Sequence, residues 1–265
     1  MGRISDRFAQ LKKRGHKALV AYIMGGDPNL ETTEALVPDL AGMGVDLIEI
    51  GVPFSDPLAD GPTIQEAGQR ALKTTLRDLV AMVGRVRERV EIPLLLMTYY
   101  NPVLRYGVEP LARDAAKAGV DGLIIPDLTP EEGGQLIEHS RGQGLDIVWL
   151  LAPTSSDQRI DLITSLSRGF LYYVSRTGTT GARDDIAGDL ESNLHRLRSR
   201  SKLPIAVGFG ISNPEQAARV AQHADGVVIG SAIVKRMADS GGDLARMRER
   251  LAEFLGPIVN RLHSA

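Results

Sequence analysis

Glu49 stands inside an apolar run, with Leu47 and Ile48 before it and Ile50 after it. Two aspartates, Asp56 and Asp60, follow in the stretch IEIGVPFSDPLADGP, where three prolines and two glycines shape the chain. If residues 46–51 form a strand, Leu47 and Glu49 point one way and Ile48 and Ile50 the other. A carboxyl buried without a partner is costly, and burial raises its pKa, which is how a glutamate becomes a proton carrier near neutral pH. The opposing reading is a structural glutamate paired with a buried Lys or Arg. None of the apolar runs identified below contains a Lys or Arg. Asp60, in LADGP, is either a turn residue before Gly61 or a second carboxylate at the same mouth. Asp56, between Ser55 and Pro57, reads as loop-shaping or surface.

What must position these groups is a series of short strands. Eight apolar runs of strand length recur: 18–24, 46–51, 93–99, 121–127, 146–152, 170–175, 204–210 and 225–231. They lack clean alternation, as expected of parallel strands covered on both faces. Helical stretches separate them. Asn29, Thr129 and Asn213 are expected to cap helices, with Pro130 and Pro214 at first helical positions. Several strands are entered by a Gly or Ala followed by Asp, as in GVDLIEI and ADGVVIG, and two begin at proline, EIPLLL and KLPIAV. Eight β–α alternations predict an α/β fold, a (β/α)8 or TIM barrel, as one domain over residues 1–265. An open doubly wound sheet is the alternative, but no G-x-G-x-x-G follows the first strand. Residues 1–15 predict an extra N-terminal helix with Ile4, Phe8 and Leu11 on one face, placed to close the barrel bottom.

In such a barrel Glu49 faces the lumen near its top. The two longest loops, VPFSDPLADGP and Arg176 to Asp189, follow strands 2 and 6 at the face where barrel sites lie. Strands 7 and 8 end in VGFGIS and VIGSAIV. Loops after those strands commonly hold phosphate on backbone N–H groups and a helix N-terminus. Gly208, Gly210, Gly230 and Ser231 fit that role, and Gly181 could close over the group. Glycines also serve ordinary turns.

Composition narrows the classes. The 265 residues carry 31 basic and 33 acidic side chains, a net charge of −2, with no basic stripe for nucleic acid or an anionic membrane. There is no cysteine, and the five histidines have no metal-ligand spacing, so no metal is expected. No apolar run approaches the ~20 residues of a membrane span, and the N-terminus has no apolar signal core. A soluble, cytoplasmic protein is expected.

IEIGVPFSDPLADGPTIQ, MTYYNPV, YYVSRTGTTGAR and VGFGIS, followed by GVVIGSAIV, resemble the α subunit of tryptophan synthase in order and spacing from about Phe8 to Leu255. The resemblance implies retro-aldol cleavage of indole-3-glycerol phosphate to indole and glyceraldehyde 3-phosphate. It implies that Glu49 is the acid/base and that Asp60 holds the indole N–H. Tyr172 matches a pocket tyrosine, and Phe170 stands where a second tyrosine is often found. Tyr22 takes a position associated with phenylalanine on the indole wall, which Ile64, Tyr99, Ile124 and Leu150 would complete. Thr180 matches a residue that meets Asp60 when the strand-6 loop closes. The phosphate donors map to Gly181, Phe209, Gly210, Gly230 and Ser231. The lone Trp149 is expected in the core. No cofactor is implied for this chain. Pyridoxal phosphate (PLP) belongs to a β subunit, with which the chain would form an α2β2 heterotetramer. Alternatives are a stand-alone lyase, a non-catalytic module activating the β subunit, or another phosphate-handling barrel. The synthase that makes indole-glycerol phosphate would call for a strand lysine, which is missing.

Overall fold

The computed structural model describes residues 2–174, 185–208 and 210–264. Its strands are β1 (Ala18–Met24), β2 (Leu47–Gly51), β3 (Leu94–Met97), β4 (Gly122–Ile124), β5 (Asp146–Val148), β6 (Leu150–Leu151), β7 (Leu171–Val174), β8 (Ile205–Gly208) and β9 (Gly226–Ile229). Every pairing is parallel, and the order is β5-β4-β3-β2-β1-β9-β8-β7-β6. The two ends of that sheet, β5 and β6, are one apolar run interrupted at Trp149. Chain continuity there joins the ends, so eight expected runs make a nearly closed barrel.

Two apolar layers follow from the two-residue period of a strand. Ile48, Ile50, Leu94, Leu96, Leu123, Ile147, Val207 and Val227 face outward into the large cluster under the helices, where Trp149 also packs. Ala18, Val20, Leu47, Leu95, Ile124, Val148, Tyr172, Ala206 and Val228 face inward. Helix α1 (Arg3–Lys13) contributes Ile4, Phe8 and Leu11 to this inner cluster, and the Phe8 and Phe170 rings stand 5.5 Å apart. The N-terminal helix therefore closes the bottom of the lumen.

The remaining helices are α2 (Leu30–Gly42), α3 (Pro62–Ala71), α4 (Leu76–Val86), α5 (Tyr100–Tyr106), α6 (Val108–Ala118), α7 (Gly134–Gln143), α8 (Asp157–Leu166), α9 (Asp185–Arg198), α10 (Pro214–Ala221), α11 (Ser231–Ala238) and α12 (Leu244–His263). Asn29 and Asn213 cap α2 and α10, accepting from the N–H groups of Thr32 and Gln216. The expected start at Thr129 and Pro130 is displaced. Residues 129–133 make a single turn, with the Glu132 and Gly133 N–H groups bonded to the Thr129 carbonyl, and α7 begins at Gly134. Paired glycines weaken helix propagation. A Cβ at Gly133 would also lie 2.7 Å from the Trp149 ring, so this corner is shaped by tertiary packing.

The strand-entry aspartates do more than turn the chain. The Asp46 N–H donates to the Leu19 carbonyl, and its carboxylate accepts from the Leu19 N–H (2.8 Å). Asp121 makes the same reciprocal pair with Leu94, and Asp225 with Ile205. Each satisfies a backbone donor of the neighbouring strand at the barrel's lower rim.

Candidate active site

Glu49 lies in register between Tyr22 on β1 and Leu95 on β3. It is fully buried, and neither carboxyl oxygen has a hydrogen-bond partner among the described residues. Burial pushes the carboxyl from 4.5 up to about 8. Among the described residues no Lys or Arg pairs with it, which leaves the ion-pair reading without support there. The reason is local. Strand 2 supplies an acid to a lumen in which the inward positions Leu47, Leu95, Ile124 and Val148 are apolar.

The loop from β2 to α3 holds Asp60 above this point. Within it the Leu58 N–H bonds the Asp56 carbonyl and the Asp60 N–H bonds the Pro57 carbonyl. Gln65 on α3 donates to the Asp60 carbonyl (2.8 Å). The Ala59 N–H donates to the Tyr99 hydroxyl (3.0 Å), which ties the loop to the end of β3. Phe54 stacks on Tyr99 at 5.2 Å. Asp60 is half-buried. Desolvation raises its pKa, opposed by hydrogen bonding to the Tyr99 side chain. Asp56 is exposed and accepts from the Ser55 hydroxyl (2.6 Å), as a loop-shaping residue would.

The expected pocket residues fall into two touching groups. Tyr22 clusters with Met24, Ala67, Ala71 and Val234, and Ile64 and Met97 pack against them. Tyr172 and Ile124 belong to the lumen cluster, with Leu150 packed on it. Burial raises the Tyr172 pKa, and the Glu49 charge adds to the shift. Phe170 is one layer lower and fully buried, so its ring serves the barrel floor.

Gly208 ends β8, and Gly210 follows with φ 76°, a conformation that favours glycine. Gly230 precedes α11, and its carbonyl accepts from the Ile233 and Val234 N–H groups. The Ser231 and Ala232 N–H groups belong to the first turn, which has no intrahelical acceptors. Because β8 and β9 are paired, these glycines and this helix N-terminus are neighbours, an arrangement suited to an anion. Thr180, Gly181 and Phe209 lie outside the described residues.

Three residues escaped the sequence reading. Gly51 continues the lumen face of β2 two positions after Glu49, Met97 pairs with it across β3, and Phe54 braces Tyr99. The period from Glu49 to Gly51 was a usable signal for the first. The other two are selected by side-chain packing.

A protonable carboxyl beside an apolar slot, a second carboxylate at the rim and an anion seat at the ends of β8 and β9 suit one kind of substrate. It has a flat apolar part and an anionic end, and it reacts by proton transfer. The family model for "Tryptophan synthase alpha chain" matches residues 8–262. The tryptophan synthase alpha chain of Geobacter sp. (strain M21) is 51% identical over 260 residues, covering 97% of this chain and 97% of its own. That of Geobacter sulfurreducens is 50% identical over 263 residues, covering 97% of this chain and 100% of its own. The crystal structure of tryptophan synthase subunit alpha from Legionella pneumophila str. Paris superposes with a TM-score of 0.91 at 36% identity, covering 100% of both chains.

Proposed function

The chain belongs to the tryptophan synthase alpha chain family, and on that premise we propose that Glu49 and Asp60 divide the work of its reaction. The reaction is cleavage of indole-3-glycerol phosphate to indole and glyceraldehyde 3-phosphate, and the chain is a lyase. The observation that carries the division of labour is the buried Glu49 carboxyl, which has no partner among the described residues and is pushed up to about 8. Protonated, it delivers a proton to indole C3. Ionised, it takes the proton of the glycerol hydroxyl whose carbon becomes the aldehyde, and the carbon–carbon bond breaks. Asp60 faces the indole N–H and stabilises the positive charge that the ring nitrogen gains once C3 is protonated.

Tyr22, Ile64, Tyr99, Ile124, Leu150 and Tyr172 wall the indole. Gly210, Gly230 and Ser231, with Gly181 and Phe209, hold the phosphate. The clustering of the described members at one barrel mouth supports this assignment. The family needs no cofactor of its own and implies a β partner. PLP would reside on that partner, which takes the indole in an α2β2 assembly. Leu58, 91% exposed on the Asp60 loop, and Leu104, 55% exposed on α5, give the mouth an apolar rim suited to a partner. No helix among the described residues is long and apolar enough to cross a membrane, in keeping with a cytoplasmic site of action.

Glu49→Gln keeps the shape and removes proton transfer, so indole release should fall by at least ~10²-fold. Near-wild-type turnover in the folded variant would discard the assignment. Asp60→Asn should lower kcat while leaving KM nearly unchanged, because its charge partner develops only during reaction.

A further inference from the structure

Gly51 is the next lumen-facing residue of β2 after Glu49, and its missing side chain leaves a gap one layer above the carboxyl. The end of the Tyr22 ring fills that gap. A Cβ at Gly51 would lie 2.0 Å from the Tyr22 hydroxyl oxygen, 2.6 Å from Cζ and 2.9 Å from Cε2. The base of the ring rests against β9, where a Cβ at Gly230 would be 3.4 Å from the Tyr22 Cβ. The ring thus crosses the top of β1 towards the loop that carries Asp60. Its body is held by Met24, Ala67, Ala71 and Val234, and the side chain is buried.

An apolar wall needs only the ring, which phenylalanine would supply. A hydroxyl in this desolvated place costs free energy unless it serves as a donor or acceptor. Glu49 is the register partner of Tyr22 on β2, and the titratable groups whose charge acts on the phenol are Asp60 after β2, Glu49, Tyr99 after β3 and Tyr172 on β7. Burial, then the charges of Asp60 and Glu49, keep the phenol protonated, so the hydroxyl has a proton to donate. We propose that Tyr22 is a positioning residue, donating its phenolic proton toward Asp60 while Glu49 is protonated and toward Glu49 when Glu49 is ionised. It would hold the two carboxylates apart in orientation as Glu49 cycles. This rests on the acid/base reading of Glu49.

The test is Tyr22→Phe in the full chain, with folding checked by thermal unfolding. Losing a hydrogen bond to a charged group should lower kcat by about tenfold to a hundredfold. Because the lost bond favoured the ionised carboxylate, the limb of the pH–rate profile that depends on Glu49 should move to higher pH. A second readout does not need turnover. The ¹³C resonance of the Glu49 carboxyl carbon, assigned by its loss in Glu49→Gln, should titrate at higher pH in Tyr22→Phe. An unmoved profile and carboxyl titration, or a raised KM with unchanged kcat, would overturn the proposal and leave Tyr22 as wall. If Glu49→Gln itself retains turnover, the acid/base reading falls first, and this inference falls with it.

Discussion

The two ends of the barrel treat buried carboxylates in opposite ways. At the lower rim Asp46 accepts from Arg7 (2.6 Å), the Leu19 N–H (2.8 Å) and the His263 ring (3.1 Å). Asp121 takes Arg3 (3.0 Å), Arg87 (2.7 Å) and the Leu94 N–H (2.8 Å). At the upper end Glu49 has no partner among the described residues and is driven up to about 8. The chain contains ample arginine, so the difference lies in where it is spent. The lower rim ties its carboxylates to arginines and backbone, whereas the mouth leaves Glu49 without a partner among the described residues, the state our proposed proton transfer requires. Buried charge is stabilising only when paired, and an unpaired carboxyl gives up stability for reactivity.

Removing a partnered acid at the bottom should give the largest effect on stability. Asp121→Ala removes the carboxylate partner of Arg87, whose side chain is 14% exposed and which keeps only the Gly119, Val90 and Ile92 carbonyls, and deprives the Leu94 N–H of its acceptor. A loss on the order of 3–5 kcal/mol is expected in urea unfolding, with kcat per folded molecule unchanged. A fall in kcat with no loss of stability would break the comparison.

The mouth should respond with the opposite sign. Burial raises the Glu49 pKa above its unfolded value, so the folded chain holds a proton that the unfolded chain releases between about pH 4.5 and 8. Wild-type stability contributed by this group is full below that window and is lost as pH rises through it. Glu49→Gln has no such loss. Relative to wild type it should gain on the order of 4 kcal/mol by pH 8 and nothing at pH 4. Parallel urea midpoints from pH 4 to 8 would show instead that Glu49 is paired in solution.

The smallest effect sharpens what the rule depends on. Asp146 is at the lower rim, yet it has no hydrogen-bonded cation among the described residues. Burial pushes it up to about 6, with the Arg168 charge pulling back and the Asp121 charge adding to the rise. If partnering matters rather than position, Asp146→Asn should behave like the mouth. It should stabilise the chain by about 1–2 kcal/mol at pH 7, with the gain fading as pH falls through 6 towards 3.8. Destabilisation at pH 7 would assign the difference to position alone.

Much of this was legible in the amino-acid order. The alternation of apolar runs and capped helices specifies eight β–α repeats, because strand and helix periods are local properties. Ile4, Phe8 and Leu11 announce a buried helix face by their spacing alone. A carboxylate in an arginine-free and lysine-free set of strands favours an unpaired lumen acid over a structural ion pair. The tertiary structure decided what depends on neighbours far apart in sequence. It set the start of α7, where Trp149 packs on Gly133, and the reciprocal bonds of Asp46, Asp121 and Asp225 with adjacent strands. It also placed the Tyr22 hydroxyl in the space that Gly51 leaves open. Those outcomes rest on distances between residues 16 to 29 positions apart. Periodicity can say which face a side chain takes, but only packing says what it meets there.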